Sequence, residues 1–224
     1  MLDGPRLPPR SGGAPDSLVI LLHGYGADGR DLIELGEIWA PLLPGTAFVS
    51  PHAPEPCAMA PVGRQWFGYV ERNDRERWAG VEAAHPALDA FIAAELARYG
   101  LPASRLALVG FSQGTMMALH TGLRRAQPLA GIVGFSGIHV QPSSREDDTA
   151  RARVASRPPV LLVHGDQDPV IPVSALTRAR VTLAGAGITP ETHIARGLGH
   201  GIDADGLDLA GRFLARVLKP QACA

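Results

Sequence analysis

Short β-rich apolar runs that stop at glycine or proline recur along the chain, and longer segments with helical periodicity separate them. SLVILLHG (Ser17–Gly24), TAFVSPHA (Thr46–Ala53), RLALVGFS (Arg105–Ser112), AGIVGFSG (Ala130–Gly137) and PVLLVHGD (Pro159–Asp166) are the clearest, and ETHIA (Glu191–Ala195) is weaker. Runs that are apolar at consecutive positions belong in strands covered on both faces. Their alternation with helices makes such strands parallel neighbours. The expectation is an α/β chain with a mostly parallel central sheet, flanked by helices on both faces.

Helical spacing supports the same reading. Val81, Leu88, Phe91, Ile92, Leu96 and Tyr99 share a face that ends at Gly100 and Pro102. Pro86 is awkward inside a helix, so this one is expected to kink or to begin only near His85. Gln113–Arg125, Ser174–Gly185 and a last segment from Asp205 to Leu218 are further helices. Pro51–Arg77 and Gln141–Arg157 read as irregular; a loop as long as the first usually serves function in a compact domain.

At 224 residues, with 46% hydrophobic and 19% charged, the chain suits one domain. Residues 17–219 are assigned to it, with 1–16 as a flexible leader and 220–224 as a tail. A net charge of -1 with scattered Lys and Arg argues against nucleic acid as a partner. No apolar run is long enough for stable membrane insertion, and the proline- and glycine-rich start lacks a secretory apolar stretch. Cys57 and Cys223 have neither metal nor disulfide spacing, so a reducing cytoplasm is the expected location.

Chemistry enters at Gly110-Phe111-Ser112-Gln113-Gly114, a G-x-S-x-G match. Composition alone would produce one in roughly one chain in ten, so the match needs its context. It follows a β run and opens a helix, where a sharp turn lifts the serine hydroxyl above the sheet edge. Gly134-Phe135-Ser136-Gly137 lacks the second glycine at the right place, and its serine reads as a strand-end or capping residue.

A serine hydroxyl needs a histidine base, and the histidine needs a carboxylate. Acid and then base should follow the nucleophile in this chain order. HGDQDPVIP (His164–Pro172) offers Asp166 and Asp168. Asp168 is better placed to reach another loop, while Asp166 can instead satisfy backbone donors of its own turn. GLGHGID offers His200 between two glycines. The other histidines lack that setting, and none forms a metal-type pair. For oxyanion donors, the N–H of Gln113 and one from the loop in LLHGYGADGRDL, beside Tyr25, are the candidates. That loop could also be an ordinary strand-to-helix connection. A phosphate site is disfavoured, since neither GxGxxG nor GKS/GKT is present.

Taken in order, LHGYGADGRDL, GFSQG, HGDQDPVIP and GLGH resemble the phospholipase/carboxylesterase family of α/β-hydrolases, which includes acyl-protein thioesterases and small bacterial carboxylesterases. The resemblance runs from about Leu18 to Leu218. It implies the α/β-hydrolase fold without a large cap domain, and catalytic Ser112, Asp168 and His200. It places oxyanion donors on the backbones of Tyr25 and Gln113. RQWF (Arg64–Phe67) resembles the segment lining the acyl side, so Trp66 and Tyr25 are expected pocket residues. Tyr25 stands where members often carry leucine, and Thr115–Met117 replaces a stretch of small residues.

The implied activity is a carboxylesterase acting on small-molecule esters of short to medium acyl chains through an acyl-enzyme, with no cofactor and no metal. A thioesterase or lysophospholipase is the alternative substrate reading, and a non-catalytic ligand-binding module the alternative of another class. The quaternary state is left open, a homodimer included.

Overall fold

The computed structural model describes residues 2–57, 59–142 and 154–219. Its central sheet has seven strands: β1 (Arg6–Leu7), β2 (Ser17–Leu22), β3 (Thr46–Val49), β6 (Leu106–Phe111), β7 (Gly131–Phe135), β8 (Val160–Gly165) and β9 (Glu191–Ala195). Their order is β1-β3-β2-β6-β7-β8-β9, and every pair is parallel except β1 with β3. A separate small hairpin pairs β4 (Glu55–Pro56) with β5 (Arg64–Gln65).

The period of two within each strand divides the core into two layers. On β2, Leu18, Ile20 and Leu22 face α2 (Asp74–Tyr99), α3 (Gln113–Gly122) and α4 (Ser174–Gly185). Val19 and Leu21 face the opposite way, toward Trp39 of α1 (Gly29–Trp39) and Phe213 and Leu214 of α5 (Ala204–Val217). The inner strands β2, β3, β6, β7 and β8 are largely apolar along their length because each face buries a different set, at about 1.5–3 kcal/mol per large side chain, whereas the edge strand β9 is mostly exposed. The expected layered α/β architecture is the one observed.

Several details differ from the sequence reading. The helix expected to kink at Pro86 or to begin only near His85 starts at Asp74 and runs through Pro86. Asn73 caps its start by accepting the Glu76 N–H, and Gly100, in the left-handed region at φ 64°, closes its end. Pro86 is exposed, and it lacks the N–H that would otherwise serve the Glu82 carbonyl one turn earlier. Pro51–Arg77 accordingly holds a hairpin and the first turn of α2. The sequence reading also passed over α1, which Asp28 caps through the Arg30 N–H.

The segment assigned to a flexible leader is tied to the domain. β1 pairs with β3, and Arg6 reaches the buried carboxylate of Glu95 on α2 with both Nη2 (2.8 Å) and Nε (3.4 Å). Among the described residues no helix is long and apolar enough to cross a membrane.

Candidate active site

Ser112 sits between the end of β6 and the start of α3, with φ 54° and ψ −113°. That positive φ is costly for a residue with a side chain, by roughly 1–3 kcal/mol, and persists only where the surroundings enforce it. The two motif glycines enforce it by permitting a close approach. A Cβ on Gly114 would stand 1.8 Å from the Leu22 carbonyl oxygen, and one on Gly110 would stand 2.4 Å from the Gly114 carbonyl. Only hydrogen side chains let the helix start press so hard on the strand ends.

Two loops from further along the chain complete the constellation. The loop after β8 is stitched to the loop after β9. The Gln167 N–H donates to the Leu198 carbonyl (3.0 Å), and the Gly197 N–H donates to Asp166 Oδ1 (2.7 Å). Asp166 thus does structural work, though across two loops rather than within its own turn. Asp168 turns inward and is buried. Its Oδ1 accepts the N–H groups of Val170 (2.8 Å) and Ile171 (2.9 Å), and its Oδ2 lies 2.7 Å from His200 Nδ1.

Burial pushes the Asp168 carboxyl up, but the bonds from His200, Ile171 and Val170 outweigh it and hold the pKa below the ordinary carboxylate value. An ionised carboxylate only accepts, so His200 Nδ1 carries the proton and Nε2 offers a lone pair. That Nε2 lies 3.0 Å from Ser112 Oγ. Serine, histidine and aspartate therefore form one hydrogen-bonded line. Ser112 is 9% exposed and the His200 side chain 18%, so the line reaches the surface at the serine end and is buried at the aspartate end.

Tyr25 and Gln113 flank the serine. Gln113 is the first residue of α3, and its N–H, like the first donors of any helix, has no acceptor within that helix. A Cβ on Gly24 would lie 3.4 Å from the Ser112 Cβ, which puts the Gly24–Tyr25 backbone beside the nucleophile. The Tyr25 ring is half-buried, 6.2 Å from the Tyr69 ring, and the neighbouring Cys57 raises the phenol's pKa.

Trp66 is only 1% exposed, and its indole N–H donates to the His23 carbonyl (3.0 Å), which anchors its loop in the core.

Further side chains support the line, and of these only Phe111 was missed by sequence reasoning. The Phe111 ring packs 4.9 Å from the His200 ring. His164 donates from Nε2 to the Ile171 carbonyl (2.8 Å), with the same nitrogen 3.4 Å from Asp168 Oδ2. Ser136, also at positive φ (46°), donates to the Gly201 carbonyl next to His200 (3.3 Å). Phe111 lies inside GFSQG and His164 inside HGDQD, which was the available signal, whereas Ser136 belongs to none of the motifs and meets Gly201 only in the fold.

Comparison with known proteins identifies the family. The solved structure of esterase PE8 superimposes with a TM-score of 0.91 at 50% identity, covering 97% of this chain and 99% of PE8. Esterase YpfH of Escherichia coli strain K12 is 31% identical over 83% of this chain and 76% of its own length. Acyl-protein thioesterase 1 of Schizosaccharomyces pombe is 33% identical over 71% of each chain. The phospholipase/carboxylesterase family model matches residues 10–218, so the chain belongs to that family and has its α/β-hydrolase fold.

Proposed function

We propose that the protein is a carboxylesterase that works through an acyl-enzyme on Ser112. The observation that carries this reading is the line Ser112 Oγ–His200 Nε2 (3.0 Å) and His200 Nδ1–Asp168 Oδ2 (2.7 Å). In the first half-reaction Ser112 Oγ bonds to the ester carbonyl carbon while its proton passes to His200 Nε2. The tetrahedral intermediate expels the alcohol, which leaves with that proton. Water then attacks the acyl-enzyme, loses a proton to His200 and releases the acid, and the proton returns to Ser112.

Asp168 stabilises the imidazolium by staying ionised, consistent with its lowered pKa. The backbone N–H groups of Tyr25 and Gln113 are assigned to the oxyanion, a role worth about 2.7–4 kcal/mol per donor. The mechanism calls on no metal or cofactor. The substrate reading is a small-molecule ester with a short or medium acyl chain, supported by the similarity to esterases PE8 and YpfH and by a connection of only 24 residues between β7 and β8, 136–159.

Thioester cleavage is the second reading, favoured by the similarity to the yeast acyl-protein thioesterase. Rates on a matched ester and thioester decide between them. For the mechanism, Ser112→Ala should lower ester turnover at least ~10⁴-fold, and a fluorophosphonate should label Ser112 alone. Labelling elsewhere, or retained turnover in the alanine variant, overturns the assignment.

A further inference from the structure

The side chain of Gln113 has work that the proposed chemistry does not use. Its Oε1 accepts the Trp66 N–H (2.9 Å) and its Nε2 donates to the Phe67 carbonyl (2.9 Å). The amide grips the N–H of one residue and the carbonyl of the next, and only one orientation matches donor to acceptor at both. Gln113 is 2% exposed and Phe67 3%, so neither pair has water as an alternative partner.

The gripped segment reaches across to the other oxyanion candidate and brackets it. Upstream of Tyr25, the Trp66 indole N–H donates to the His23 carbonyl (3.0 Å). Downstream, the Gly26 N–H donates to the Arg64 carbonyl (2.9 Å) and the Arg64 N–H donates to the Ala27 carbonyl (2.7 Å). Arg64–Phe67 is therefore bonded on both sides of Tyr25 at one end and to Gln113 at the other. A hydrogen bond from Ala53 N–H to His23 Nε2 (3.0 Å) fixes the same corner from behind.

We infer that Arg64–Phe67 is a brace that sets the separation of the two oxyanion donors, with the Gln113 side-chain amide and the Trp66 indole as its positioning groups. The inference rests on the esterase reading above and assigns RQWF to transition-state geometry in place of acyl binding. Preorganised donors matter only where charge develops, so loosening the brace weakens transition-state binding and leaves ground-state binding alone.

The test uses Gln113→Met, which keeps length and bulk but removes both bonds, and Trp66→Phe, which removes one indole N–H. Sites are counted by fluorophosphonate labelling, and kcat, KM and the affinity for an aliphatic trifluoromethyl ketone are measured. Gln113→Met should lower kcat per labelled site about 10- to 100-fold, with KM within about twofold. Ketone affinity should fall in proportion to kcat/KM. Trp66→Phe should show the same pattern at roughly 3- to 10-fold.

A variant that melts earlier but keeps parental kcat per labelled site overturns the brace, as does a fall confined to KM. If Gln113→Met does not fold, Trp66→Phe decides by the same criteria. Failure of the parent protein to label at Ser112 overturns the esterase mechanism itself. Normal parental labelling with unchanged variant kcat overturns the brace alone.

Discussion

His23 is fully buried and uses both imidazole nitrogens in the way only the neutral ring can. Nδ1 donates to the Gly24 carbonyl (2.8 Å), and Nε2 accepts the Ala53 N–H (3.0 Å). Protonating Nε2 would set one N–H against another, and burial already lowers the pKa from 6.5 to about 4. The unfolded chain therefore binds this proton more readily than the folded one between those values. Stability is complete above pH 6.5, falls as the pH drops toward 4, and levels off below it.

At about 1.36 kcal/mol per pKa unit, His23 alone removes about 3 kcal/mol between pH 7 and pH 4. Other groups titrate in the same window, so the measurement is a comparison. Urea unfolding is extrapolated to water at closely spaced pH values for the parent and for His23→Gln, whose side chain reaches the Ala53 N–H but does not titrate. The variant should start less stable and lose about 3 kcal/mol less on acidification. Parallel curves for the two proteins would refute the claim that a neutral imidazole is locked at the end of β2.

Two further substitutions probe other parts of the fold. Gly114→Ala forces its Cβ into the Leu22 carbonyl and should cost about 3 kcal/mol or more in chemical unfolding, with loss of fluorophosphonate labelling. Arg6→Ala leaves the buried Glu95 carboxylate with Arg98 alone at 3.3 Å, and should cost about 2 kcal/mol because Arg6 is itself partly exposed. Combining Arg6→Met with Glu95→Leu should recover most of that loss in the same assay, since no unpaired charge then remains.

What could be read from sequence was whatever has a local cause. The strands declared themselves because burial on both faces leaves apolar residues at consecutive positions. Ser112, Asp168 and His200 stood out because each lies among glycines or beside a proline in the sequence, and at Ser112 the packing needs those glycines. What could not be read depends on distant partners. Gln113 is a polar residue opening an apolar helix, and its purpose appears only when Trp66 and Phe67, 47 and 46 residues away, are brought beside it.

The first turn of α2, DRERW, carries no apolar stripe, because its support comes from the Asn73 cap and from Glu76 accepting the Val70 and Arg72 N–H groups. β1 is two residues among prolines, too short for any periodicity, and exists because β3 offers it an edge.

The register of the sheet is what turns these separate turns into one site. At the edge where β6, β7, β8 and β9 end, each strand passes a hydrogen bond to the next. The Ser112 N–H donates to the Phe135 carbonyl (2.9 Å), the Ser136 N–H to Val163 (2.9 Å) and the Asp166 N–H to Ala195 (3.1 Å). The nucleophile, the serine that supports the histidine loop, and the start of the acid loop are thus successive rungs of one parallel ladder. A slip of one residue in any rung would exchange the two faces of that strand and set side chains of the wrong shape against each core layer. The apolar core on both faces therefore specifies the active-site spacing as well as the fold. The ladder bond at each N–H is also among the contacts that hold Ser112 and Ser136 at positive φ without glycine.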